Sequence, residues 1–230
     1  MRKKLFTLLL ALGVSAGIAQ AAVYNGTCGA EEDGNNIEWS YNTETNGLII
    51  TGEGTMADYS SDYNQSPWYT YRTSIRYISF QGNISTIGNY AFCYCTKITS
   101  VTIPNTVTSI GDGAFQGCTK LTHIEIPNSV TTFGISIFSG CNSMTNPIFN
   151  AHVFVHMPIS YAGAYTIPSG IEQMVYGTFE NCTDLTSIEI PNSVTSIGLA
   201  AFESCSMLSS VTIPNSVISL EERVFQKETD

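Results

Sequence analysis

The chain has 230 residues, 43% hydrophobic and 12% charged, with 19 Gly, 12 Tyr and 7 Cys, an apolar share that supports a core and excludes intrinsic disorder. The formal net charge is -10, and without the basic residues at positions 2 to 4 it becomes -13, six Lys and Arg against nineteen Asp and Glu. A surface that negative repels phosphate backbones and anionic lipid heads, which excludes nucleic-acid binding.

Residues 1–21 read as a secretory signal peptide. Arg2, Lys3 and Lys4 lead into an apolar run from Leu5 to Ile18, and Ala19-Gln20-Ala21 supplies small residues for cleavage after Ala21. The run has fourteen residues, whereas a membrane-spanning helix needs about 20. Asn25-Gly26-Thr27 before Cys28 is not a lipoprotein box, and no later stretch is expected to cross a membrane. The mature chain is expected to be exported, and either soluble or held to a surface by other means.

Residues 22–77 read as a β-rich cap. Ile37, Trp39 and Tyr41 alternate with polar residues, as do Leu48 and Ile50. Asn46-Gly47 between them predicts a hairpin turn in which both central positions take positive φ. The tract Tyr59, Tyr63, Trp68, Tyr69, Tyr71 suits either a sugar-binding platform or a capping layer, and buried packing is the commoner use of such rings.

From residue 78 the sequence repeats itself. Ile103-Pro104-Asn105-Thr106-Val107 returns at Ile126, Ile190 and Ile213, and repeats begin at Ile78, Val101, Ile124, Tyr165, Ile188 and Val211. The spacing is 23 residues except for 41 between Ile124 and Tyr165, so residues 147–164 read as an eighteen-residue insertion. The phrase Leu121-x-x-Ile124-x-Ile126 recurs at Ile98, Leu185 and Leu208; apolar residues two apart predict a short strand with one buried face. Pro104, Pro127, Pro168, Pro191 and Pro214 end these strands, because proline has no amide to continue the ladder. Phe92, Phe115, Phe138, Phe179, Phe202 and Phe225 share one column and predict a stacked aromatic spine.

A unit of this length cannot bury both faces alone, so neighbours must stack. Propeller blades need about 40 residues and helical hairpins about 33 or more, which leaves a leucine-rich-repeat-like solenoid. The expected fold is an α/β-type repeat solenoid of mostly β and irregular structure, with a parallel sheet over residues 78–230 and an N-terminal β-hairpin cap. Seven strand rungs at about 4.8 Å make a sheet roughly 30 Å long, comparable with an ordinary interface of about 800 Å² per partner.

The phrase Ile190-Pro191-Asn192-Ser193-Val194-Thr195-Ser196-Ile197-Gly198, followed by Ala201-Phe202 and Cys205, resembles the BspA-type leucine-rich repeat of surface and secreted proteins of anaerobic bacteria. Asn128 departs from the general leucine-rich pattern by falling one position early. The resemblance covers residues 78 to 230 and implies a curved, strand-lined solenoid that binds host or neighbouring-cell proteins. It also favours a structural role for the aromatic tract of the cap.

Five of the seven cysteines, Cys95, Cys118, Cys141, Cys182 and Cys205, fall in one column. Stacked side chains pointing the same way do not meet disulfide geometry, so buried free thiols are expected; a bridge between the off-column Cys28 and Cys93 stays open. No Cys-x-x-Cys pair occurs. His152 and His156 lie four apart without an adjacent third ligand and read as polar residues on the exposed side of an added strand. No phosphate loop, Gly-x-Ser-x-Gly or His-Glu-x-x-His is present, and Glu125 and Glu189 are separated by the insertion. A non-enzyme without catalytic residues, cofactor or metal is expected.

What remains is surface. The exposed strand face carries Ser100, Thr102, His123, Glu125, Ser187, Glu189, Ser210 and Thr212, and the insertion adds Phe149, Phe154, Met157, Tyr161 and Tyr165. Aromatics and Met are enriched in interface cores; the competing reading packs them onto the stack as a local enlargement of the core. The expected ligand-binding residues are Phe149, Phe154, Met157, Tyr161, His123, Glu125 and Glu189, the partner an extracellular protein or glycoprotein. Changing Phe154 and Tyr161 to Ala should then weaken capture while the fold persists. The runner-up is a spacer module of a larger surface assembly. Charges at Glu221, Glu222, Arg223, Lys227, Glu228 and Asp230 suit a blunted stack end, and no cell-wall sorting motif or terminal anchor is evident.

Overall fold

The computed structural model describes residues 21–31, 34–60 and 65–225; the expected signal peptide, Tyr63 and the charges beyond Phe225 lie outside the described residues. Three strands, β1 (Val23–Thr27), β2 (Ile37–Asn42) and β3 (Gly47–Thr55), pair antiparallel in that order. Ile37, Trp39, Tyr41, Leu48 and Ile50 are all buried, as the alternation requires. The turn is not the two-residue one expected. Asn42 pairs with Gly47, so the loop is residues 43–46 and only Asn46 takes positive φ, at 55°. The cause is Asn42, whose Oδ1 accepts from the Glu44 and Thr45 amides at 2.8 and 3.1 Å and sets the bend. Gly47 is needed for space, because the Tyr77 ring occupies the place of a Cβ.

Parallel pairing of β3 with β4 (Tyr77–Ile87) converts the cap into the first rung of a solenoid. Gln81 stands in β4 where later turns have proline, so an amide is available and the strand runs through the corner for 11 residues. Later turns give one strand before the corner and another after it. These are β5 (Ser100–Thr102) and β6 (Ser109–Ile110), β7 (His123–Glu125) and β8 (Thr132–Phe133), β9 (Ile148–Phe149) and β10 (Val153–His156). Next come β11 (Gly163–Thr166) and β12 (Gln173–Met174), β13 (Leu185–Glu189) and β14 (Ser196–Ile197), and lastly β15 (Ser219–Leu220). Among the described residues there is no α-helix and one 3₁₀ turn, Tyr69–Tyr71.

The expected single sheet of seven rungs does not form. The strands before the corners pair only as β5-β7 and β11-β13, and Leu208 to Ile213 makes no strand. Longer ladders run through the strands after the corners: β1-β2-β3-β4-β6-β8 in one sheet and β15-β14-β12-β10-β9 in another. Both series break at residues 147–164.

Those eighteen residues are not an outgrowth. They are laid into the stack as a turn of their own, five residues shorter than the usual 23. Asn150, where other turns have the corner proline, donates its Nδ2 to the Pro127 and Val130 carbonyls below. The Glu172 amide bonds His152 O above at 2.7 Å, as Thr195 bonds Glu172 in the next turn. Met157 donates its amide to Thr178 O at 2.7 Å, the bond that Phe179 makes to Ala201, and so stands in the phenyl column. The shortening is achieved by folding β9 back on β10 in an antiparallel hairpin, Phe154 opposite Phe149 and His156 opposite Ile148.

The spine consequently has two segments. Trp68, Phe92, Phe115 and Phe138 stack at 5.6, 5.4 and 5.8 Å between centroids; Phe149, Phe154, Phe179, Phe202 and Phe225 stack at 5.5, 5.2, 5.3 and 5.5 Å. Trp68 ends the first segment, and its indole N–H reaches Ala91 O at 2.8 Å, doing for the first turn what a phenylalanine amide does for the others. The core divides likewise. Val153 and Val155 of β10 join the amino-terminal cluster while Phe154 joins the carboxyl-terminal one, so this strand is buried on both faces.

Candidate binding surface

The hidden columns come first, because they decide what is left outside. All seven cysteines are free and buried, Cys28 and Cys93 included. The Sγ of Cys118, Cys141 and Cys205 donates to the carbonyl of Phe92, Phe115 and Phe179 one turn back, at 3.2, 3.1 and 3.0 Å. At the short turn Cys182 points instead at the Met157 and Pro158 carbonyls, 3.8 and 3.7 Å away. A thiol is small enough for the inside of this tight bend and satisfies a buried carbonyl there. Burial pushes the thiols of Cys28 and Cys182 up to about 12 and those of Cys93 and Cys205 up to about 11, so they stay protonated at neutral pH and are poor nucleophiles.

Of the expected ligand-binding residues, the structure brings three together. His123 and Glu125 project from the exposed face of β7, with Nε2 and Oε1 3.5 Å apart. Phe149, 40% exposed on β9, lies at the other side of the same shallow depression of about 360 Å³. Its ring is held on one side by Phe154, at 5.5 Å. Both side chains are well exposed, so their contact adds little to stability.

The others lie elsewhere. Phe154 and Met157 are 0% exposed and do not touch a ligand in this fold. They take core positions, Phe154 within the spine and Met157 in the phenyl column, because the short turn belongs to the stack. The proposed Phe154→Ala change would therefore damage the core rather than spare the fold. Tyr161 is half-buried; its hydroxyl donates to Ala164 O at 2.7 Å and its edge meets Tyr165 at 5.4 Å. Glu189 is exposed on β13, accepting from Thr166 Oγ1 at 3.2 Å, in a different ladder from Glu125.

The two histidines separate as well. His152 Nδ1 meets Glu172 Oε1 at 3.1 Å on the surface. His156 is not on an exposed side: burial lowers its pKa from 6.5 to about 4 and it lies 5.9 Å from the Phe138 ring. It lines a notch between the third and fifth turns, together with Ser136, Gly140, Ile159, Tyr176 and Glu180. Sequence reasoning missed this notch. The signal was the length of the short segment, eighteen residues where a full turn takes 23. Among the described residues no group of three His, Cys, Asp or Glu is arranged to hold a metal ion, and no helix is long and apolar enough to cross a membrane.

Turn length, parallel ladders and stacked columns define a leucine-rich-repeat solenoid. The chain belongs to the BspA-type leucine-rich repeat family, whose profile matches residues 66–157 and 151–230 in six copies. No curated protein matches the sequence. Among solved structures, a leucine-rich repeat protein from Eubacterium ventriosum is similar at 21% identity, covering 86% of this chain and 73% of that one, with a TM-score of 0.46. A leucine-rich cell surface protein from Faecalibacterium prausnitzii shows 20% identity, 83% and 78% coverage and a TM-score of 0.45. The leucine-rich repeat protein of T. pallidum shows 24% identity, 74% and 86% coverage and a TM-score of 0.46.

Proposed function

We propose that this chain is an exported, non-catalytic module that binds an extracellular protein or glycoprotein through the strand face around β7 and β9. The observation that carries the reading is Phe149. From Phe92 to Phe202 the repeats hide their phenyl column, yet here an aromatic ring is 40% exposed beside His123 and Glu125, at the place where the regular stack is interrupted. A rigid ring backed by Phe154 loses little freedom on binding, and flanking polar groups suit the rim of an interface. Export rests on the amino-terminal segment, whose basic start, apolar run and Ala19-Gln20-Ala21 site fit a cleaved signal.

The test is capture from an array of purified extracellular-matrix and plasma glycoproteins by the mature chain. Phe149→Ala, with unchanged melting temperature, is expected to reduce the saturable signal at least tenfold. Equal capture by parent and variant overturns the assignment of this face, and no saturable capture at all supports a spacer.

A further inference from the structure

At three junctions between full-length turns three amides of one turn donate to three carbonyls of the next, and at the last described junction Phe202 donates to Val224. Tyr90, Phe92 and Tyr94 bond Asp112, Ala114 and Gln116. Gly113, Phe115 and Gly117 bond Ile135, Ile137 and Ser139, and Gly177, Phe179 and Asn181 bond Leu199, Ala201 and Glu203. The corresponding amides of the third turn belong to Ser136, Phe138 and Gly140, and among the described residues none of them has an acceptor. The turn that should supply the carbonyls is five residues short, and the notch stands in its place, enclosing about 70 Å³.

A second observation points the same way. The half-buried imidazole of His156 lines this notch and makes no hydrogen bond among the described residues. Ile159, 41% exposed, forms an apolar lip, and Ser136 and Tyr176 also line the notch.

We propose that the notch is a docking site for a peptide segment of a partner protein, about five residues long, which takes the turn conformation of residues 136–140 and completes the missing part of the turn. Its alternate carbonyls accept from the Ser136, Phe138 and Gly140 amides, as those of Asp112, Ala114 and Gln116 accept from Tyr90, Phe92 and Tyr94. A small side chain enters the cavity toward His156. Three donors on alternate residues match a peptide backbone rather than a compact anion, which would need convergent donors. The Glu180 carboxylate in the lining and the overall charge of -10 select a neutral or basic segment over an acidic one. The inference shares with the proposed function only the premise of a protein ligand, and it uses a different surface.

The probe is a capped synthetic heptapeptide with the sequence of residues 134–140 carrying Phe138→Ala, uncharged and able to offer alternate carbonyls. In the full mature chain, amide exchange at Ser136, Phe138 and Gly140 is expected to be at least tenfold faster than at Gly113, Phe115 and Gly117. Saturation with low-millimolar peptide should slow those three amides at least tenfold. Ile159→Asp, an exposed change, should weaken the peptide at least fivefold without altering the fold; a chain lengthened by five residues after Ile159 should not bind it. Three protected amides in the free protein, unmoved amides at millimolar peptide, or undiminished binding by Ile159→Asp would overturn the proposal. Phe149→Ala should leave peptide binding unchanged, so the two surfaces fail independently.

Discussion

The junction between the second and third turns and the junction between the third and fourth are built from nearly the same residues on one side, and they end differently. At the first, Phe115 lies between phenyl rings at 5.4 and 5.8 Å, three amides find carbonyls and Cys141 bonds back to Phe115. At the second, Phe138 has a phenyl on one side and a tilted imidazole on the other, and its amide has no acceptor among the described residues. The difference teaches that the repeat phrase makes a turn but does not guarantee a junction. Ladder bonds require the alternate amides and carbonyls to arrive in register, and the short turn does so with the turn after it, at Met157 and Thr178, but not with the turn before it, at Phe138.

Several experiments break or sharpen that comparison. The largest effect is on cooperativity. In a solenoid, stability sums over turns and nearest-neighbour interfaces, and this core divides at β10. Unfolding in urea is expected to show two transitions. Fluorescence from Trp39 and Trp68, both in the amino-terminal part, should report one of them, and far-ultraviolet circular dichroism should report both. Coincident curves would show that the short turn couples the halves as tightly as any other.

Next in size is the phenyl column itself. Phe115→Ala should cost about 4 kcal/mol, within the usual range for a buried phenylalanine. Phe138→Ala should cost about 1 kcal/mol less, because an aromatic stacking partner is missing on one side. Denaturation midpoints check this, and equal losses would contradict the contrast between the junctions.

The smallest effect is on pH. The folded pKa of His156 is about 4 against 6.5 when free, so between those values the unfolded chain takes up a proton that the folded chain refuses. Stability is therefore expected to fall as the pH drops through this window, by about 3 kcal/mol at its lower end, a shift of one unit being worth about 1.4 kcal/mol. His156→Leu should flatten that slope; an unaltered slope in the variant would assign the acid sensitivity to other groups.

Much of this was legible in the residues. The Phe and Cys columns and Ile37-x-Trp39-x-Tyr41 identify buried positions, and the corner prolines identify strand ends, by chemistry that acts locally or repeats at fixed spacing. The candidate site was legible only in part. His123 and Glu125 are exposed because strand alternation makes them so, and Phe149 joins them by its place on β9. Phe154 and Met157 look the same as Phe149 in composition, and no local rule distinguishes an aromatic on an added strand from one facing the core.

The sequence by itself determined the turn length, the hidden columns and the family, since periodic burial leaves the same mark in every copy. Only the tertiary structure decided the fate of residues 147–164. An eighteen-residue segment fits either an outgrowth or a contracted turn. The choice fell to Asn150 bonding the Pro127 carbonyl below and Met157 bonding Thr178 above. Those contacts join residues of different turns, and contacts of that kind leave no periodic trace in the chain.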